Sequence, residues 1–443
     1  MIRASTYLIL MAFFITLEVY RIPIAGYNIT LYHIFLAGAL FWGVLGVLQN
    51  RGRIRINKET RIALGILILF STYSFVSFLR NVDVMQPESR SGFLAEMVGY
   101  IMVLSMAIFI TRWKIFRQFV VAFLASGIFV YLFAFYSWFV WITRKEYLTS
   151  IPFWHTFSHS EHVIQYLQSP SEFMQFPRFT LPFSSPAGTG VFLSLSGIIL
   201  LAFTLQQIID KRRGNWKLIL LNVINFFCLL GTFARASWAI YAVGSLLVIW
   251  SFRKYKLVSI GRVAMTYLIM VVVLVSAMSL IPIGHQFAHN ITLRFSPRYT
   301  EQSNIGHLES RLLALHYWTE RPVVGLGVGG FWLKPKGGIH THSTYFTILV
   351  NRGLIGLILF LSILFSLYFL LKKRILFNLK SENKIAFIYG IALLGGLMGL
   401  CVGHFLYEMN SEVVWLYYGL ILSYVNLRFP ISEDKGPTYR DNK

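Results

Sequence analysis

The sequence predicts an all-α, polytopic membrane protein of about 12 transmembrane helices with two long external loops, and three observations predict it. Apolar runs of about 17–25 residues, the length that crosses a bilayer's hydrocarbon core, recur from end to end of the 443-residue chain. Only 13% of the residues are charged and 56% are hydrophobic, with a mean hydropathy of +0.62, whereas a soluble domain carries roughly a quarter charged residues. Short basic connectors follow every second apolar run, as they do when alternate loops face the cytoplasm.

In chain order the runs fall at 4–20, 30–49, 62–79, 94–111, 118–142, 187–206, 217–234, 236–251, 262–283, 343–371, 385–407 and 411–428. The basic connectors are RGRIRINKETR from Arg51, RWKIFR from Arg112, KRRGNWK from Lys211, RKYK from Arg253 and KKRILFNLKSENK from Lys372. They follow runs 2, 4, 6, 8 and 10, which puts both termini in the cytoplasm and the long connectors outside. The first run has no small-residue cleavage site and leads directly into further runs, so it reads as an uncleaved helix rather than a signal peptide.

Charge supports the same sidedness. The cytoplasmic segments hold 26 of the 40 Lys and Arg but only 6 of the 18 Asp and Glu. The other side holds 14 basic against 12 acidic residues, so nearly all of the +22 formal charge sits on one face. In a soluble protein that excess would suggest nucleic acid. Here it sets orientation, and no nucleic-acid partner is expected.

The chain reads as one transmembrane domain, 1–443, with external segments at 143–186 and 284–342 that exceed ordinary loop length. The first contains HTFSHSEHVIQYL, a candidate surface-lying amphipathic helix, and ends in the turn-rich PRFTLPFSSPAGTG. The two cysteines, Cys228 and Cys401, each lie inside an apolar run, so neither a disulfide framework nor a cysteine metal site is expected. All 11 histidines fall in external segments or at the outer ends of runs. Acid–base chemistry on that face would explain this, and so would the greater polar content of longer loops.

The polar residues that stand out concentrate between Glu309 and Phe360, in ESRLLALHYWTERPVVGLGVGGFWLKPKGGIHTHSTYFTILVNRGLIGLILF. Arg311 begins a helical pattern with Leu315 and Trp318 on its face and Pro322 as a stop. It is either an anion ligand or a solvated helix charge. Arg321 precedes the proline. GLGVGG supplies Gly325, Gly327 and Gly330, formally a GxGxxG, but the flanking strand, helix and acid of a dinucleotide site are missing. The glycines instead suit close backbone packing or a bend.

His340 and His342 flank Thr341 just before run 10. No carboxylate cluster nearby completes a metal site, so no metal and no cofactor is expected. A neutral histidine at a membrane rim suits general-base work, though a histidine bound to helix-end backbone is the alternative. Arg352, some three turns into run 10, is costly inside a membrane. It either pairs with an acid such as Glu18, Glu96, Glu408 or Glu412, or it meets substrate. Outside this strip, Arg235 sits in GTFARASW, in the short outer turn between runs 7 and 8. Its planar fork suits a phosphate, or it snorkels to lipid headgroups.

Together these motifs resemble the O-antigen ligase/polymerase superfamily of bacterial envelope glycosyltransferases. RLLALHYWTERPVVGLGVGGF…HTHSTYFTILVNRGLIG is similar to the family's Arg…Pro-x-x-Gly-x-Gly…His-Asn/Ser signature, TFARASW to its Ser-Arg motif, and PRFTLPFSSPAGTG, with Arg178, to its Arg-x-x-Gly-x-phe-x-x-Pro-Asn motif. The chain departs from the pattern at Ala234 for Ser, Ser343 for Asn, Leu181 for Gly, and Arg352 where an acid is common.

The resemblance implies a GT-C-like fold in the bacterial cytoplasmic (inner) membrane, active on its outer face. It implies metal-independent transfer from an undecaprenyl-diphosphate-linked glycan to a glycan or lipid acceptor. Arg235 and Arg311 would bind the diphosphate and His342 would serve the acceptor hydroxyl, with Arg178, Arg321, His340 and Arg352 as further candidates. A solute or polysaccharide transporter is the competing class, argued against by polar groups that concentrate in the outer loops rather than at mid-bilayer and by two halves without an evident repeat. A peptidoglycan-type lipid-linked polymerase is another, and would depend on an outer-loop acid such as Glu309.

Overall fold

A computed structural model describes residues 2–18, 21–24, 27–49, 56–85, 87–144, 178–179, 182–183, 185–210, 216–255, 282–335, 341–381, 383–409 and 411–427. All but the last two residues of the expected run at 262–283, His340, most of the 143–186 segment with its HTFSHSEHVIQYL stretch, and the tail from 428 lie outside these residues. The helices are α1 Ile2–Phe14, α2 Leu31–Gln49, α3 Lys58–Leu79, α4 Pro87–Phe109, α5 Trp113–Ala125, α6 Gly127–Arg144 and α7 Pro186–Ile209. They continue with α8 Trp216–Gly231, α9 Arg235–Lys254, α10 Pro282–Leu293, α11 Pro297–Trp318, α12 Thr344–Lys380, α13 Lys384–Leu406 and α14 Glu412–Asn426. A two-stranded antiparallel hairpin, β1 Arg21–Ile24 with β2 Tyr27–Thr30, links α1 to α2.

The fold is that of an all-α polytopic membrane protein. Eight helical stretches among the described residues are long and apolar enough to cross a bilayer, with α5 and α6 acting as one stretch, Trp113–Thr143. The three other described helices that correspond to expected runs, α1, α8 and α14, have 13, 16 and 15 residues. Three boundaries differ from the expected ones. Run 4–20 stops being helical after Phe14, where the chain turns and Thr16 Oγ1 donates to the Ser126 carbonyl at the α5–α6 break. The connector beginning at Arg112 is only a short turn before α5. The basic stretch from Lys372 is not a loop but the last turns of α12, helical to Lys380. Charge there does not break the helix, because Lys and Arg are good helix formers and the segment extends beyond the apolar run.

Ser185 caps α7 by accepting from the Gly188 N–H, with Pro186 in the first turn, so the turn-rich PFSSPAG is a helix start. α7 and α14 are buried almost all round, as expected of helices apolar on every face. Peripheral helices instead expose Phe41, Phe139, Phe365 and Phe369.

Two packing devices place the candidate residues. The first is a glycine stripe on α13, Gly395, Gly399 and Gly403, at helical i, i+4, i+8 spacing. A Cβ added to Gly395 would lie 2.8 Å from the Gly244 carbonyl of α9, and one on Gly399 would lie 2.5 Å from the Ile240 carbonyl. Small residues let two spans approach to backbone contact. The start of α9, which carries Arg235, is thereby set beside the end of α13.

The second device is a break in α12 at Gly353, whose φ is +65°. Interrupting the helix frees backbone groups that a membrane interior cannot hydrate. The glycine-rich strip satisfies them. Leu326 and Gly327 N–H donate to the Val350 and Asn351 carbonyls at 2.9 Å each, while Leu354 and Ile355 N–H donate to the Pro322 and Val323 carbonyls. Tyr73 on α3 donates to the Val324 and Arg352 carbonyls, and Asn81, in the turn after α3, to those of Leu326 and Val328. The bend requires Gly325, Gly327 and Gly329 at positive φ. Gly325→Ala is expected to lower thermal stability in detergent by about 2 kcal/mol or more. An L-residue at φ +71° is strained, and its Cβ would meet Arg352 N at 2.5 Å.

Candidate active site

Arg235, Arg311 and His342 come from three separate elements to one end of the bundle. His342 is the residue before the Ser343 cap of α12. Arg311 lies on the half-buried face of α11, which packs along the first turns of α12 through Ala314, Leu326, Phe331 and Val350. Arg235 opens α9.

Arg311 ties these parts together. Its Nη2 donates to the His342 carbonyl at 3.1 Å and to the Phe405 carbonyl, at the end of α13, at 3.0 Å. A helix C-terminus carries unsatisfied carbonyls and partial negative charge, so it is a natural seat for a guanidinium. The Phe405 ring lies 5.1 Å from the guanidinium carbon, within cation–π range. Both bonds come from Nη2. Burial lowers the Arg311 pKa, yet a guanidinium stays charged at any physiological pH.

The start of α12 is held equally firmly. Ser343 Oγ donates to the His404 carbonyl. Thr344 Oγ1 accepts from the Met409 N–H at 2.8 Å and lies 2.9 Å from His404 Nδ1, whose Nε2 lies 2.6 Å from the Tyr418 hydroxyl. His404, 1% exposed, is thus a structural member of the C-terminal end of α13.

Two non-glycine residues among those described have positive φ: His342 at 52° and Phe233 at 50°. One is the proposed base and the other stands two residues before Arg235. Left-handed backbone is unfavourable for L-residues and persists where surrounding bonds enforce it, characteristically at functional sites. At His342 the enforcing bond is Arg311's. At Phe233 it is Arg178, whose Nε donates to the Thr232 carbonyl at 3.1 Å and whose Nη2 donates to the Phe233 carbonyl. Arg178 therefore braces the turn that presents Arg235.

The remaining candidates separate. Arg352 is 5% exposed and its Nη2 lies 2.5 Å from Glu96 Oε2, while the Tyr100 hydroxyl donates to the other oxygen of the same carboxylate. Of the two readings of Arg352, the structure takes the acid pair, with Glu96 as its partner. Its occurrence where an acid is common is matched by an acid on α4. Arg321 is exposed in the turn after α11, apart from the Arg311 cluster. Glu309, on which the peptidoglycan-type reading depends, is also exposed. Among the described residues, no group of three His, Cys, Asp or Glu is placed to hold a metal ion.

One residue of the cluster escaped the sequence reading. His307, one turn before Arg311 on α11, has its ring centre 4.1 Å from that of His342 with the planes at 77°. Burial first, then the charges of His342, Arg311 and Arg235, pulls its imidazole down to about 4, so it is neutral at physiological pH. That both arginines act on His307 places all four side chains in one neighbourhood. The signal was present as His307 and Arg311 at i, i+4 in HLESR, and became visible only once α11 was known to extend back to Pro297.

Residues 220–361, about a third of the chain, match the model of the family described as O-antigen ligase. Over that segment the chain is similar to the O-antigen ligase family. The matched segment includes Arg235, His307, Arg311, Arg321, His342, Arg352 and the glycine strip, and excludes Arg178 and Glu96. Two residues that support the site from outside the matched segment come from α4 and from the approach to α7. A comparison with curated proteins finds no match.

Proposed function

We propose that this protein belongs to the O-antigen ligase/polymerase superfamily and transfers a glycan from undecaprenyl diphosphate to a hydroxyl of a glycan or lipid acceptor, on the outer face of the bacterial cytoplasmic membrane. The observation that carries this reading is the grouping of Arg235, Arg311 and His342 at the end of the bundle where the long 284–342 segment lies. A lipid-linked donor is anchored in the bilayer, so its diphosphate stays at the membrane surface, the level expected for this cluster.

In that reaction the bond from the sugar's anomeric carbon to the diphosphate oxygen breaks, and the diphosphate keeps the electron pair. The acceptor oxygen forms the new bond to the anomeric carbon and gives up its proton. Arg235 and Arg311 neutralise the charge that grows on the leaving group, where fixed donors act most strongly. His342 takes the acceptor proton. Its strained backbone, tied by Arg311, couples the base to the group that binds the leaving diphosphate. No nucleotide is required, and both termini lie in the cytoplasm.

The test is a cell-free assay of the full chain with a lipid-linked repeat. Product growth without added acceptor identifies a polymerase, and product formed only when a lipid acceptor is supplied identifies a ligase. No product under either condition overturns the proposal. Arg235→Ala and Arg311→Ala are each expected to reduce product at least about 100-fold, the scale of removing one such donor, with membrane-inserted protein unchanged.

A further inference from the structure

His307 has no part in the chemistry just described, yet it is the member of the cluster on which both arginines act. It shares a helix face with Arg311 at i, i+4. It packs edge-on against His342 at 4.1 Å. Its Nδ1 is sealed from solvent and has no hydrogen-bond partner among the described residues.

Buried N–H groups without an acceptor are rarer in proteins than buried acceptors without a donor. The Nδ1 position therefore holds the lone pair, and the single proton of the neutral ring sits on Nε2. Adding a second proton would place an N–H at the sealed site and a third cation beside two guanidinium groups. Both effects keep the ring neutral, in keeping with its lowered pKa. Nε2 is thus an N–H donor lying among donors. Among the described residues, no carboxylate is among the groups that act on His307. Three neighbouring donors suit an anion with several acceptor oxygens.

We propose that His307 is a third ligand of the donor diphosphate, giving it a hydrogen bond from Nε2–H as a neutral imidazole. This rests on the diphosphate reading of Arg235 and Arg311 and adds a substrate-touching residue to it. A neutral donor strengthens its bond as charge grows on the departing oxygen, without adding a fixed positive charge that would retain the product. It also leaves His342 as the ring that takes up the acceptor proton.

The test uses the full chain in detergent with farnesyl diphosphate, a short polyprenyl diphosphate, as the probe in a direct binding measurement, and inorganic diphosphate as a second arm. A hydrogen bond to a charged group is worth roughly a 10- to 100-fold change in affinity. His307→Ala is expected to weaken farnesyl diphosphate binding by that factor. His307→Gln, whose amide N–H reaches near the Nε2 position, is expected to restore most of it. Thermal unfolding of both variants should match the unsubstituted protein. Binding by His307→Ala equal to the unsubstituted protein, with Arg311→Ala weakened, overturns the role of His307 and leaves the diphosphate reading intact. Equal weakening in the Ala and Gln variants with reduced thermal stability also overturns it, in favour of packing. If the unsubstituted protein does not bind the probe, the diphosphate reading itself fails. Equal affinity for inorganic diphosphate overturns recognition of a lipid-linked anion.

Discussion

His342→Asn is expected to reduce glycan transfer by about 100- to 10,000-fold, the range that a positioned general base contributes, with little loss of thermal stability. Asparagine is chosen because of the backbone. His342 sits at φ 52°, a region that Asn tolerates better than other non-glycine residues. The substitution therefore removes the imidazole while keeping the left-handed turn, the Arg311 bond to the residue 342 carbonyl and the start of α12. His342→Ala confounds loss of the base with relaxation of the strained turn. Product formation in the Asn variant at the unsubstituted rate would remove His342 as the base and reduce its strain to a structural feature. A quantitative transfer assay with equal amounts of inserted protein checks this.

The largest expected effect on stability comes from the buried pair. Arg352→Ala is expected to cost about 3–5 kcal/mol, the usual penalty for stranding one partner of a buried ion pair. Glu96 is 5% exposed and would keep its charge only with the Tyr100 hydroxyl for company. Replacing both charges by apolar residues, Arg352→Met with Glu96→Leu, is expected to recover most of that loss, because an apolar pair of similar volume has no desolvation cost to offset. Thermal unfolding in detergent measures both. If Arg352 instead met substrate, the single variant would retain its stability and lose activity. The double variant would then be inactive as well. Arg352 immediately precedes Gly353 and its carbonyl accepts from Tyr73, so the stability effect should appear first as loosening of the break in α12 and of the glycine strip packed into it.

Legibility varied from residue to residue for physical reasons. The helices were readable because a bilayer imposes length and apolarity on each span separately, and both are properties of a one-dimensional string. The boundaries that moved did so where a tertiary bond or a helix-favouring basic stretch took over, at Thr16 and beyond Lys372. Arg311 and His342 stood out as polar residues at the margins of apolar runs. Arg178 was noticed for a motif, but its work, bracing the turn before Arg235, depends on carbonyls more than fifty residues away in sequence. His307 passed unnoticed because a histidine among the polar residues of a long connecting segment has no periodic signal of its own. The partner of Arg352 was one of four acids that the sequence allowed.

By itself the sequence determined that this is an all-α membrane protein, where most of its helices lie, and which arginines and histidine deserve attention. The tertiary structure alone decided which of them meet. Convergence is set by backbone approach between helices distant in sequence: the glycine stripe that seats α9 against α13, and the break at Gly353 that receives the glycine strip and orders the segment after α11. These contacts bring Arg311 onto the carbonyls of His342 and Phe405, seclude Arg352 with Glu96, and place His307 where both arginines act on it.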